Sequence, residues 1–115
     1  MKQGEVWLIN LDPTIGAEIK KTRPAVIVNA DSLGKLPLKI IVPITDWKDK
    51  YSVAPWMVKI DHDSSNGLAK DSAADCFQVR SVSQERFVIK LGNISEEIIE
   101  EIKLGLLLVL SIENE

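Results

Sequence analysis

The chain has 115 residues, 45% of them hydrophobic and 5% aromatic, which excludes a disordered polypeptide and predicts one domain spanning 1–115 with a core built on Ile, Leu and Val. Its single cysteine, Cys76, excludes an internal disulfide and a cysteine-rich zinc site, and no apolar run approaches the roughly 18 residues that cross a bilayer. The net charge of -3 is unevenly divided: residues 1–60 carry nine Lys/Arg against six Asp/Glu, and residues 61–115 five against eleven, so a basic groove on an acidic protein is possible. Met1-Lys2-Gln3-Gly4-Glu5 has no signal-peptide pattern, and the expected location is the cytoplasm.

Glu5 to Leu11 is rich in strand formers and predicts a first strand, ended by Asp12-Pro13. Pro24 to Ala30 predicts the second, with Pro24 biasing Arg23 toward extended backbone. Asp31 to Leu36 reads as a short helical turn or loop before Pro37, and Leu38 to Ile44 as a buried third strand. A polar loop, Asp46 to Pro55, leads to a fourth strand, Trp56 to Ile60. After a turn-rich connection through Asn66-Gly67, Ala74 to Val82 predicts a fifth strand and Phe87 to Leu91 a sixth.

The period then changes. Ser95 is a helix N-cap, Glu96 and Glu97 complement the helix dipole, and Ile94 with Ile99 fits a hydrophobic staple. Ile98, Ile102, Leu106 and Val109 recur at helical spacing, predicting a helix of about four turns to near Ser111. Short strands followed by one helix define an α+β domain whose antiparallel sheet is strongly curved and barrel-like.

The loop between the first two strands concentrates Asp12, Glu18, Lys20, Lys21 and Arg23 within twelve residues, the charge types needed to hold and cleave a phosphodiester. The one histidine, His62 in Asp61-His62-Asp63, reads as a solvated turn residue, so no metal site is expected. Two-histidine acid–base hydrolysis of RNA is excluded, which leaves Arg, Lys, carboxylates and hydroxyls. Arg23 enters the second strand and Thr45 leaves the third; as antiparallel neighbours they are not expected to be ladder partners. Glu18 lies five residues before Arg23 and reaches the same groove if the loop folds back. On chemistry alone the plainer reading is preferred: a Glu18–Arg23 surface ion pair of little weight, with Thr45 an ordinary turn residue. Trp47, beside Asp46 and Lys48, could stack a base at roughly 1–3 kcal/mol, whereas Trp7 and Trp56 read as packing residues.

Gly4-Glu5-Val6-Trp7, Leu11-Asp12-Pro13-Thr14, Gly16, Glu18 and Arg23-Pro24-Ala25-Val26 together resemble the MazF/PemK (Kid) family of toxin endoribonucleases from type II toxin–antitoxin systems. The likeness continues through Val42-Pro43-Ile44-Thr45, Gly67-Leu68, Gln78 to Val82 and Gly92-Asn93-Ile94-Ser95, covering nearly the whole chain in order. The resemblance implies an SH3-like barrel of the PemK/CcdB type, a homodimer, an acidic antitoxin as partner, and sequence-selective cleavage of single-stranded RNA without metal or cofactor. It points to Arg23 and Thr45 as catalytic and Glu18 as contributing to binding or catalysis, through attack of the ribose 2′-hydroxyl to leave a 2′,3′-cyclic phosphate and a 5′-hydroxyl. Lys20, Lys21, Trp47, Lys48 and Gln78 are the expected RNA contacts.

Ala17 and Phe77 stand where PemK-like relatives carry a catalytic His and Asp, and Asp46 replaces a small polar residue. The chain therefore sides with the Arg/Thr version of the site, with a catalytically weakened RNA- or antitoxin-binding module as the alternative. A gyrase poison of the CcdB kind is disfavoured, because the end Ser111-Ile112-Glu113-Asn114-Glu115 lacks the Trp-Gly-Ile terminus that such a toxin requires.

Overall fold

In the computed structural model, residues 1–113 are described. Seven strands and one helix follow in the order β1 (Glu5–Asn10), β2 (Thr22–Ile27), β3 (Leu38–Asp46), β4 (Met57–Ile60), β5 (Ser72–Asp75), β6 (Arg80–Ser83), β7 (Phe87–Asn93) and α1 (Glu96–Val109). All pairings are antiparallel, in the lateral order β4-β5-β3-β2-β1-β7, with β6 also on β3. The sheet bends, with register irregularities between β1 and β7, but its two ends do not pair. Among the described residues it is a curved, barrel-like sheet that stays open, followed by one helix, as the sequence predicts in class.

Both faces of the central strands are buried, which explains why their sequences are nearly continuously apolar. Val6, Val26, Val42 and Ile44 face one cluster with Ile99 and Ile102 of α1. The alternate residues Ile9, Leu11, Ala25, Ile27 and Ile41 face a second cluster, covered by Trp7, Ile19 and Phe87. The helix begins as read: Ser95 Oγ accepts from Ile98 N at 3.2 Å.

Of the boundaries that differ from the sequence reading, three bear on the site. β2 starts at Thr22, two residues before Pro24, because the pairing with β1 continues through Ile9 opposite Arg23 to Asn10 opposite Thr22. β3 runs on to Asp46, so Thr45 lies inside a strand, opposite Ala73. The single strand expected over Ala74 to Val82 is broken into β5 and β6. The two halves lie along the same edge of β3, but six steps from Ile44 to Leu38 are matched by nine from Ala74 to Ser83. Three residues, Cys76–Gln78, are looped out as a 3₁₀ turn. The Asp75 carboxylate starts it by accepting from Phe77 N at 3.1 Å.

Helix α1 reaches the sheet closely because of Gly105. A Cβ there would lie 2.7 Å from Cys76 Sγ and 3.3 Å from Cys76 Cβ. Burial pushes the Cys76 thiol up to about 12, so it is an inert packing group. Gly105→Ala gains helix propensity of up to ~1 kcal/mol, yet overpacking costs about 1–3 kcal/mol. Thermal melts are expected to show a net loss of about 1 kcal/mol, substantially restored in the Gly105→Ala, Cys76→Ala double variant.

Candidate functional site

The β1–β2 loop is closed at its base by Leu11 N–H donating to Lys21 O at 2.9 Å. Lys21 has a φ of 71°, a left-handed conformation that a side chain rarely adopts. The Asp12 carboxylate holds it by accepting from Lys21 N at 3.0 Å and from the Thr14 hydroxyl at 3.1 Å. The Lys21 N–H is the leading reason that Asp12 titrates below its ordinary 3.8. A depressed folded-state value means stability present above the ordinary value and lost as pH falls through the lowered one. Wild type is therefore expected to melt above Asp12→Asn at pH 7, with the gap closing below pH 3.8; melts across that range check it.

The rest of the loop is strapped to the looped-out turn and to β6–β7. Gln78 Oε1 accepts from Ile19 N at 2.6 Å and Gln78 Nε2 donates to Ala17 O at 3.3 Å. Arg80 Nη1 donates to Leu11 O at 3.2 Å. Arg86 Nη1 donates to Asn10 O at 3.1 Å and also to Asp12 O. The sequence reading gave neither arginine a role: Arg80 fell inside the expected fifth strand and Arg86 in the connection to the sixth, with charge as their only signal. It assigned Gln78 to RNA, whereas both ends of that amide hold loop backbone.

Between loop and turn lies a cleft of about 460 Å³ lined by Glu18, Ile19, Pro43, Gln78 and Arg80, with Ala17 and Phe77. The two positions that depart from the PemK pattern thus share one cleft. Next to it, burial pushes the Asp75 carboxyl above its ordinary value, against the lowering effect of Phe77 and Gln78 N–H groups. That carboxyl is a further group able to hold a proton near the site, unmarked in the sequence.

Arg23 and Thr45 are brought to the same end of the β2–β3 pair. The β2–β3 ladder ends at Ala25 opposite Pro43, so Arg23 and Thr45 each lie two residues beyond its last pair. As expected from the sequence they are not ladder partners: Arg23 pairs with Ile9 of β1 and Thr45 with Ala73 of β5. Arg23 commits only Nε, to Lys20 O at 3.3 Å; its terminal NH₂ groups and the Thr45 hydroxyl have no partner among the described residues. Glu18 folds onto its own loop, with Oε1 accepting from Ile15 N at 2.6 Å, and makes no ion pair with Arg23 among the described residues. Lys20 and Lys21 are exposed.

Beyond Thr45, Trp47 is half-buried, 5.9 Å edge-on from the Tyr51 ring, with Lys59 Nζ 5.3 Å from its centroid. Lys48 is exposed at the start of the 3₁₀ turn Asp49–Val53. Lys70 lies 3.3 Å from Asp46 and offsets its charge. His62 is exposed, with Nδ1 2.7 Å from Asp71 Oδ1. Within the loop and its straps the cations Lys20, Lys21, Arg23, Arg80 and Arg86 outnumber the loop carboxylates Asp12 and Glu18, both of which already accept backbone N–H groups. The loop is thus a cationic rim on an acidic protein.

A curved open antiparallel sheet, a C-terminal helix and a strapped cationic first loop define an α+β domain with an anion-receptive cleft. Residues 2–110 match the family described as PemK-like, MazF-like toxin of type II toxin–antitoxin system. The chain is 33% identical over 101 residues to endoribonuclease MazF9 of Mycobacterium tuberculosis, covering 83% of each. It is 31% identical over 104 residues to endoribonuclease PemK of Escherichia coli, covering 89% of this chain and 76% of that one. Among solved structures, MazF (Form-I) from Deinococcus radiodurans superposes with a TM-score of 0.80 at 19% identity, covering 97% of both chains. An endoribonuclease in complex with its cognate antitoxin from a Mycobacterial species does so with 0.76 at 15%, covering 100% and 99%. The chain belongs to the PemK-like, MazF-like toxin family.

Proposed function

We propose that this protein is a sequence-selective endoribonuclease toxin that cleaves single-stranded RNA without a metal, at the end of the β2–β3 pair beside the first loop. The observation that carries the reading is the uncommitted Arg23 fork at the end of the β2–β3 ladder, where Thr45 also lies two residues past the last pair. Attack by the ribose 2′-hydroxyl builds charge on the phosphorane oxygens, where a guanidinium donates two parallel hydrogen bonds. The Thr45 hydroxyl adds a donor. Arginine is a poor base, with a pKa above ~12. The 2′-hydroxyl proton therefore goes to Glu18, whose second carboxylate oxygen carries no bond from the protein among the described residues. The P–O5′ bond breaks as the leaving 5′-oxygen takes a proton from solvent water, whose hydroxide is neutralised by the proton held on Glu18, giving 2′,3′-cyclic phosphate and 5′-hydroxyl ends. Lys20, Lys21 and Lys48 contact phosphates, and the uncovered part of Trp47 contacts a base.

The family reading brings a homodimer and an acidic antitoxin. Trp56 and the 69% exposed Phe77 form an apolar patch, ring centroids 6.2 Å apart, which meets the cationic cleft at Phe77. An antitoxin tail pairing acidic with apolar residues is complementary to that surface. Light scattering of the purified protein tests the dimer.

The deciding experiment incubates pure folded protein with mixed-sequence RNA in EDTA and maps 5′-hydroxyl ends. Cleavage at a restricted set of sequences is expected. No cleavage by folded protein would replace this reading with the binding-module alternative, and loss of cleavage on adding EDTA would remove the metal-free mechanism.

A further inference from the structure

At the other end of β2 and β3 the chain holds a second cleft, of about 600 Å³, lined by Lys2, Asn29, Asp31, Lys35, Leu36, Pro37, Lys39 and Gln84 among others. Six residues of extended chain separate Arg23 from Asn29, about 20 Å, so the two sites are distinct. Its unusual member is Lys39. The residue is only 7% exposed, yet no carboxylate lies within ion-pair distance and no hydrogen bond is made by its ammonium among the described residues. Lysine is almost never buried to this degree with its charge unpartnered, and no fully buried side-chain nitrogen or oxygen lacks a partner among the described residues, so the Lys39 ammonium keeps access to solvent. In β3, Lys39 alternates with the exposed Leu38 and Ile40 and lies on the inward side with Ile41. Its stem is packed, and its head reaches the only polar volume available to it, the cleft.

The remaining lining has one chemical sense. Lys2 and Lys35 add two cations, against the single carboxylate Asp31, one oxygen of which is taken by Gln3 N at 2.8 Å. Asn29 commits Oδ1 to Ile40 N at 3.1 Å, leaving its NH₂ as a donor, and the Gln84 side chain has no partner among the described residues. Leu36 and Pro37 give an apolar wall. We infer that this cleft binds a small phosphomonoester of mononucleotide size, with Lys39, its stem packed and its ammonium open to the cleft, as the phosphate anchor and Leu36 and Pro37 against the organic part. A volume of this size suits such a ligand, and a phosphate supplies the countercharge that Lys39 lacks. The inference does not depend on the ribonuclease reading.

The test is a titration of the ¹⁵N-labelled full chain with 5′-AMP and, separately, with adenosine. AMP is expected to give saturable shifts at the Gly34, Lys39 and Gln84 amides below about 10 mM, and adenosine none. Lys39→Met keeps the stem and removes the charge; it is expected to weaken AMP at least tenfold while remaining folded by thermal melt. Should that variant unfold, the surface double variant Lys2→Ala, Lys35→Ala is expected to weaken AMP at least threefold. No saturable shift, shifts confined to the Arg23 loop, or unchanged affinity in the folded Lys39→Met or the double variant overturns the inference.

Discussion

Arg23→Lys is expected to lower RNA cleavage by about 10²–10³-fold, the usual loss when one preorganised donor to a developing oxyanion is removed. Charge is kept, so any long-range attraction of RNA survives; what disappears is the planar fork. The wild-type fork is open because only Nε is engaged, at 3.3 Å from Lys20 O. Arg23 is also half-buried in a strand whose backbone pairing with Ile9 does not involve the side chain, so the melting temperature should barely move. Arg86 makes the contrast. Its Nη1 satisfies two loop carbonyls, so Arg86→Ala is expected to cost stability before it costs chemistry. Cleavage assays with melts on both variants separate the roles, and full activity in folded Arg23→Lys would remove the guanidinium from the mechanism.

Much of this fold is written in local pattern. Both-sided burial of Val26, Ile27, Ile41 and Val42 leaves continuous apolar runs, and Ser95 with Glu96 and Glu97 marks the helix start unmistakably. The break at Cys76–Gln78 was not legible, because its cause is the register of two distant strands on β3, and Cys76 and Phe77 suit a strand as well as a turn. The same non-locality hid the site. Thr45 and Arg23 come to the same end of the β2–β3 ladder through a register that no spacing along the chain reveals. Arg80 and Arg86 reach carbonyls 69 and 74–76 residues away. Residue type pointed to Glu18 and Arg23, and the family resemblance to Thr45; the free or engaged state of each side chain needed coordinates.

Gln78 is where those two levels give opposite expectations. As an RNA contact its loss should raise KM. As the strap on the first loop, Gln78→Ala instead leaves Ile19 N–H without its 2.6 Å acceptor and Ala17 O without its donor. Ile19 packs against the second core cluster from within the loop, so freeing its backbone loosens the segment that carries Glu18, Lys20 and Lys21. A displacement near 1 Å of a reacting group costs about 10²-fold. Loss of these two hydrogen bonds, one half-buried and one exposed, costs only about 1–2 kcal/mol of stability. Gln78→Ala is therefore expected to lower kcat some ten- to hundredfold with KM little changed, and to raise hydrogen exchange at the Ile19 amide specifically. A KM effect with Ile19 still protected would return Gln78 to the RNA-contacting surface. The predicted pattern instead makes the looped-out turn the element that sets the geometry of the cleft, because the three extra residues opposite β3 are what carry Gln78 to the loop.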